Sequence, residues 1–184
     1  MGRALVPLAD GFEEIEAVSI IDVLRRGGVE VVSASVHDRR EVNGAHGIVM
    51  NADRLLGDVI DEEYDVIVLP GGGEGTANLK ACAELIERFR RQRMERRFLA
   101  AVCAAPTVLV EAGVLGNEHV TCYPTCQMEL DRPWRNVPVV ADGLVITGQA
   151  PGSALLFALV VLQLVFSEAA AKKVARSMVT DALD

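Results

Sequence analysis

Aromatic residues make up only 4% of the sequence: one tryptophan, two tyrosines and five phenylalanines. A hydrophobic fraction of 51% must therefore build its core from alanine, valine, leucine and isoleucine. Positive charge is also scarce. The formal balance of −8 repels phosphate backbones and excludes nucleic acid as a partner. The one basic cluster, ERFRRQRMERR (87–97), reads as a solvated last helical turn, where cations suit the negative end of the helix dipole. No apolar run is long enough for a membrane. The longest, ALLFALVVLQLVF (154–166), falls short of the roughly 20 residues a span needs and reads as a buried helix. MGRALVPLADGF carries no signal-peptide pattern, so a cytoplasmic, thiol-reducing setting is expected. The four cysteines match neither a disulfide framework nor a CxxC zinc site. Cys122 and Cys126 are four apart, with a proline between them and no histidine pair nearby, and read as ordinary thiols. Linkers, repeats and low-complexity segments are missing, which leaves one domain over residues 1–184.

What is present alternates. RALVPLA (3–9) is a short apolar strand ending at Asp10-Gly11, and EEIEAVSIIDVLRRGG (13–28) has helical periodicity. VEVVSASV (29–36) completes a βαβ unit. HDRREVNGAHGIVMNAD (37–53) reads as a hairpin turning at Asn43-Gly44. YDVIVLP (64–70) is a buried strand entering the loop GGGEGTANL. A helix over 82–94, the strand FLAAV (98–102) and a helix over 104–113 follow. HVTCYPT (119–125) reads as a strand with its exit loop, and 137–149 as a hairpin turning at Asp142-Gly143. Helices over 152–166 and 168–179 close the chain. This order argues for an α/β, doubly wound, mostly parallel sheet sandwiched by helices, whose ligand site lies at the carboxyl ends of the strands. The Glu cluster, the glycine loop and Cys103 all fall on that edge.

Cysteine is among the most buried residue types, so Cys103 has a packing explanation. Its place between a strand and the helix that Ala104-Ala105-Pro106 opens suggests chemistry instead. There the first helical N–H groups should favour a thiolate and lower its pKa. The layout is that of a nucleophile elbow, without the flanking glycines. The glycine loop matches neither dinucleotide nor P-loop patterns, and Glu74 would repel phosphate. It is a tight turn in the plain reading, and in the sharper one Gly72 offers its amide to an oxyanion beside the sulfur. Among the acids, Asp10 is expected to cap the helix with Glu13 closing a capping box, while Glu13 and Glu14 complement the dipole. Glu16 points elsewhere. If it turns inward it should be buried, protonated and able to pass protons. None of His37, His46 and His119 adjoins Cys103 in sequence, so a Cys-His dyad has little support.

RALVPLADGFEEIEAV, YDVIVLPGGGEGTANL, FLAAVCAAPTVL, VTCYPT and DGLVITGQAPGSALLFAL occur in an order that resembles the ThiJ/PfpI superfamily. The likeness is greatest to the branch of the parkinsonism-associated deglycase and the bacterial YajL-type proteins. It implies a flavodoxin-like sandwich of the class I glutamine amidotransferase type that usually forms homodimers. It further implies that Cys103 is the reactive cysteine, Glu16 its protonated partner, and Gly72, within the L-P-G-G block with Gly71, an oxyanion donor alongside Ala104. Activities described for the family are glutathione-independent conversion of methylglyoxal to lactate, deglycation of early adducts, redox-responsive chaperoning and peroxide sensing through a cysteine sulfinate. No cofactor or metal is implied. Departures from the pattern are Tyr123 for a histidine, His46 for a dimer-contacting arginine, Ala150-Pro151-Gly152 for G-P-G near the pocket, and Asn51 for a second oxidisable cysteine. Ala104 stands where the protease branch has histidine, which argues against proteolysis. Two functional readings share this site. One is an enzyme acting on a small dicarbonyl or glycated substrate, and the other is a redox sensor or chaperone. An inert flavodoxin-like module is a third reading that leaves the convergence of thiol, carboxyl and glycine loop without a reason.

Overall fold

The computed structural model describes residues 2–183. Its spine is β1 (Arg3–Leu8), in which alternate side chains face opposite sides of the sheet. Ala4, Val6 and Leu8 enter one core and Leu5 the other. The same alternation continues outward. α1 (Glu14–Arg26) leads to β2 (Glu30–Ser35), a small hairpin of β3 (Glu41–Asn43) and β4 (Val49–Asn51), then β5 (Arg54–Leu55) and a single turn, α2 (Leu56–Val59). β6 (Val66–Leu69) enters α3 (Gly73–Ala81), followed by α4 (Ala83–Met94), β7 (Phe98–Val102) and α5 (Pro106–Glu111). A 3₁₀ turn over Pro124–Cys126 and α6 (Gln127–Leu130) precede the hairpin of β8 (Val139–Asp142) and β9 (Val145–Gly148). α7 (Ala154–Val161) runs on into a π turn (Leu162–Phe166), and α8 (Glu168–Ser177) closes the described chain.

Seven strands form one sheet in the order β5-β2-β1-β6-β7-β9-β8, all parallel except β8 against β9. Helices cover both faces, which is why the central strands are apolar throughout rather than alternating with polar residues. One core joins Val6, Val68 and Val102 to Ile20 and Leu24 of α1 and Phe157 of α7. The other joins Leu5, Ile67 and Leu99 to Leu85 and Phe89 of α4 and Val108 of α5. This is the doubly wound α/β fold read from the sequence. The chain leaves β1 towards β2 on one side and towards β6 on the other, so a crevice opens at the strand ends between them. No helix among the described residues is long and apolar enough to cross a membrane.

Several local expectations are corrected. GGGEGTANL is not a plain loop, because all but its first two residues belong to α3. Glycine disfavours a helix on propensity, but packing requires it here: a Cβ on Gly75 would lie 2.8 Å from Gly11 O and Phe12 Cα. HVTCYPT forms no strand. Only Val120 bridges, to Trp134, before Pro124 opens the 3₁₀ turn. The 37–53 hairpin exists, but the turn is a five-residue loop closed by Gly44 N to Ile48 O (2.8 Å) rather than a two-residue Asn-Gly turn. Asn43 O is instead occupied by Gly11 N at 2.7 Å. The basic cluster is not wholly solvated either. Arg88 lies on the face of α4 shared with Leu85 and Phe89 and is 3% exposed.

Candidate active site

Glu16 reaches the crevice because α1 starts at Glu14. The helix is capped by Glu13, whose Oε2 accepts from Glu16 N at 2.8 Å. Asp10 is therefore not the cap. Its carboxylate instead fastens the hairpin, accepting from Asn43 N (2.9 Å) and Arg39 Nη2 (2.5 Å). Glu14 is not a surface complement to the dipole. Burial alone would raise its pKa, but hydrogen bonds from the side chain and backbone of His46 hold it below the usual range. Its oxygens accept from His46 N at 2.6 Å and pair with His46 Nδ1 at 2.8 Å.

Glu16 itself is fully buried. Oε2 accepts from Gly71 N at 2.7 Å, and Oε1 has no partner that meets hydrogen-bond geometry. The Cys103 thiol adjoins the carboxyl. Burial pushes the Glu16 pKa up to about 7; the Glu13 charge adds to this, while Gly71 N–H and Cys103 pull the other way. The loop leaving β6 has no room for side chains at this point. A Cβ on Gly71 would lie 2.7 Å from Cys103 Cβ and 2.9 Å from Glu16 Oε2. Gly72 has φ +95°, and a Cβ there would lie 2.2 Å from Gly11 O.

Cys103 directly follows β7 with φ +64°, a left-handed conformation in which a non-glycine residue is strained. Its backbone is held on both sides: N donates to Gly148 O at 3.0 Å and O accepts from Tyr123 N at 2.7 Å. The residue is only 8% exposed. Backbone N–H groups of Ala104 and Gly72 point at the sulfur. The expected low thiol pKa is not what results. Burial, then the Glu16 charge, push the thiol up to about 12, against the pull of those two amides. The helix contributes little because α5 begins three residues further on and its entry consumes its own donors. Pro106 has none, Thr107 N bonds Ala104 O and Val108 N bonds Ala105 O. Carboxyl and thiol therefore titrate as a pair. The first proton leaves near neutrality, from Glu16, and the thiol keeps its own.

Cys103, Glu16, Gly71, Gly72 and Ala104 thus converge. Tyr123 joins through its backbone, with its ring exposed. Pro151 begins the 3₁₀ turn beyond β9, whose Gly148 is the acceptor for Cys103 N–H. His46 is exposed, and its ring pairs with Glu14. None of the three histidines serves Cys103: His37 contacts Asp10, His46 Glu14 and His119 Asp142. Donor atoms of Glu13, Glu14 and His46 lie within 4.8 Å of one another, close enough for a metal. Glu14 is already bonded to His46 and Ile48 and Glu13 Oε2 to the α1 amide, so much of that donor capacity is in use. Sequence reasoning missed two positioning residues, Glu13 as the cap that aims Glu16 and Gly148 as the anchor of the elbow. The first was readable: Glu13 and Glu16 have the N-cap to N3 spacing of a capping box, three residues later than the box assigned to Asp10.

The model of the DJ-1/PfpI family matches residues 2–164. The chain is 37% identical over 180 residues to Protein DJ-1 homolog B of Arabidopsis thaliana, covering 96% of this chain and 41% of that protein. It therefore spans less than half of that relative. It is 31% identical over 153 residues to a deglycase of Pyrococcus abyssi, covering 82% of this chain and 91% of that one. The solved structure of oxidized Toxoplasma gondii DJ-1 superposes with a TM-score of 0.95 at 36% identity, covering 98% of this chain and all of that one.

Proposed function

The chain belongs to the DJ-1/PfpI family, and from that premise we propose that it is a cysteine-dependent, glutathione-independent glyoxalase or deglycase. Its substrates are methylglyoxal or early glycation adducts. The observation that carries the reading is the buried contact between Cys103 and a carboxyl poised near neutral pH, with two backbone amides aimed at the sulfur. A base of that pKa is matched to neutral conditions. The Cys103 sulfur attacks the aldehyde carbon as the ionised Glu16 takes the thiol proton. The carbonyl oxygen becomes an oxyanion beside the Gly72 and Ala104 amides and is protonated to a hemithioacetal. Glu16 then removes the proton from the carbon bearing sulfur and delivers it to the neighbouring carbon through an enediol. Water cleaves the resulting thioester, releasing lactate and restoring the thiol. Because the resting thiol is protonated, attack requires the carboxylate form of Glu16. Activity should rise with pH through about 7. The similarity to a Pyrococcus deglycase is a second, coarser support.

The test is lactate production from methylglyoxal without glutathione or amine, with wild-type and Cys103→Ala protein side by side. Turnover confined to the wild type is expected, and turnover retained by pure Cys103→Ala would remove the mechanism. A second reading has one specific support, the oxidized state of the similar Toxoplasma structure. In that reading peroxide carries Cys103 to a sulfinate held by the same amides, and the protein acts as a redox sensor or chaperone. Two-oxygen addition at Cys103 after mild peroxide, with no lactate formed, is its signature. We further propose a homodimer through α1, where Ile15 and Val18 are exposed beside Ile48 and Val49 of the hairpin. Light scattering that returns a monomer mass would remove it.

A further inference from the structure

Cys122 and Cys126 take no part in the chemistry above, yet the structure gathers them at one point. Cys122 Sγ donates to Tyr123 O at 3.2 Å, and the Cys126 amide donates to the same oxygen at 2.8 Å. A single carbonyl thus joins both residues across the tight turn at Pro124. Cys122 is fully buried and Cys126 half-buried, so Cys126 is the more accessible of the two. The side chain of Trp134, the only tryptophan of the chain, lies against Cys122, and its buried indole N–H has no oxygen or nitrogen partner. The segment between α5 and β8 carries no strand, so its backbone can adjust to a cross-link more readily than the sheet.

We propose that Cys122 and Cys126 form an oxidation site, closing to a disulfide within this loop when a hydroperoxide supplies the oxidising equivalents. Cys126, the more accessible, loses its proton and attacks a peroxide oxygen. The O–O bond breaks, and the sulfur becomes a sulfenic acid as water or an alcohol leaves. Cys122 then loses its proton and attacks that sulfur, expelling water as the S–S bond forms. Two electrons pass from the thiols to the peroxide. Burial holds both thiols above their ordinary pKa, and a charge on Cys126 raises Cys122 further. Closure is accordingly slow, and so is reduction, because such thiols are poor leaving groups. The bridge would span Tyr123, whose N–H holds Cys103 O at 2.7 Å, and so would bear on the elbow itself. The proposal does not depend on the glyoxalase reading.

The experiment exposes the full chain to hydrogen peroxide, for a time that fully oxidises a separate model thiol, and then blocks free thiols with a maleimide. Cleavage after Glu118 and Glu129 isolates residues 119–129, which contain Cys122 and Cys126 but not Cys103. Apart from one oxygen on the exposed Met128, the expected peptide is two hydrogens lighter, takes no maleimide and recovers two sites after dithiothreitol. Trp134 fluorescence should fall in step in the wild type and stay unchanged in Cys126→Ser and Cys122→Ala. Two maleimides on the oxidised peptide, oxygen retained on Cys126, or a link to Cys82 would each overturn the proposal.

Discussion

Replacing Glu16 by glutamine should make the protein more stable, and by an amount set by pH. The carboxyl is displaced from 4.5 to about 7, chiefly by burial. At about 1.4 kcal/mol per tenfold change in proton affinity, forcing it to ionise costs the folded state about 3 kcal/mol. The folded pKa lies above the unfolded one, so between pH 4.5 and 7 the folded chain binds the extra proton. Stability therefore falls as pH rises through that window, and the whole loss is present above it. Glutamine cannot ionise. Its amide oxygen can still accept from Gly71 N, which Glu16 Oε2 now does at 2.7 Å. The two proteins should match near pH 4, and the variant should lead by about 3 kcal/mol at pH 8, roughly 6–12 °C in melting temperature. Urea unfolding of both proteins across pH 4 to 8 measures this directly. A difference that does not change with pH would refute the argument, because Glu16 would then be an ordinary carboxylate and no base tuned to neutrality. Loss of turnover in the same variant would separate what the residue does for chemistry from what it costs the fold.

Three further outcomes are expected. Gly72→Ala must place a Cβ 2.2 Å from Gly11 O at φ +95°, and urea unfolding should show a loss of about 2–4 kcal/mol. Arg88→Met should stabilise by about 1–3 kcal/mol. It removes a buried guanidinium whose Nε and Nη1 are unpartnered, whose Nη2 reaches only Glu62 O at 3.3 Å, and whose nearest carboxylate, Glu95, is 3.8 Å away; a net loss in the same assay would contradict this. NMR titration should place the His46 pKa above 6.5, since its ring is hydrogen-bonded to Glu14, and Glu14→Gln should bring it back down. That pair adds stability below the unfolded histidine pKa and loses it as pH rises through the folded one.

The sheet was legible because its signals are short-range. β1, β6 and β7 are apolar runs bounded by turn residues, and α1 carries its own acids, periodicity and terminal arginines. What escaped depends on contacts distant in sequence. α3 is poor in helix formers and exists because Gly75 lets it pack against Gly11 and Phe12. HVTCYPT has strand composition but no strand to pair with, since β7 is already flanked by β6 and β9. Cys103 and Glu16 could be nominated as neighbours from their positions at the sheet edge. The raised pKa of Glu16 followed from its expected burial, but that of the thiol could not be read, because it depends on enclosure and on α5 consuming its own amides.

The segments that surround Cys103 are brought together by pairings across most of the chain: Gly71 to Glu16, Tyr123 to Cys103 and Cys103 to Gly148. A parallel sheet forms such pairings only after long crossovers have closed, which is slow relative to local structure. Until then Cys103 sits on an open chain as an ordinary thiol, with a pKa near 8.5 instead of the value about 12 that burial and Glu16 impose. The native fold therefore works as a protecting group. The cysteine is most open to non-specific alkylation while the chain is being synthesised or refolded, when neither enclosure nor Glu16 yet governs its proton.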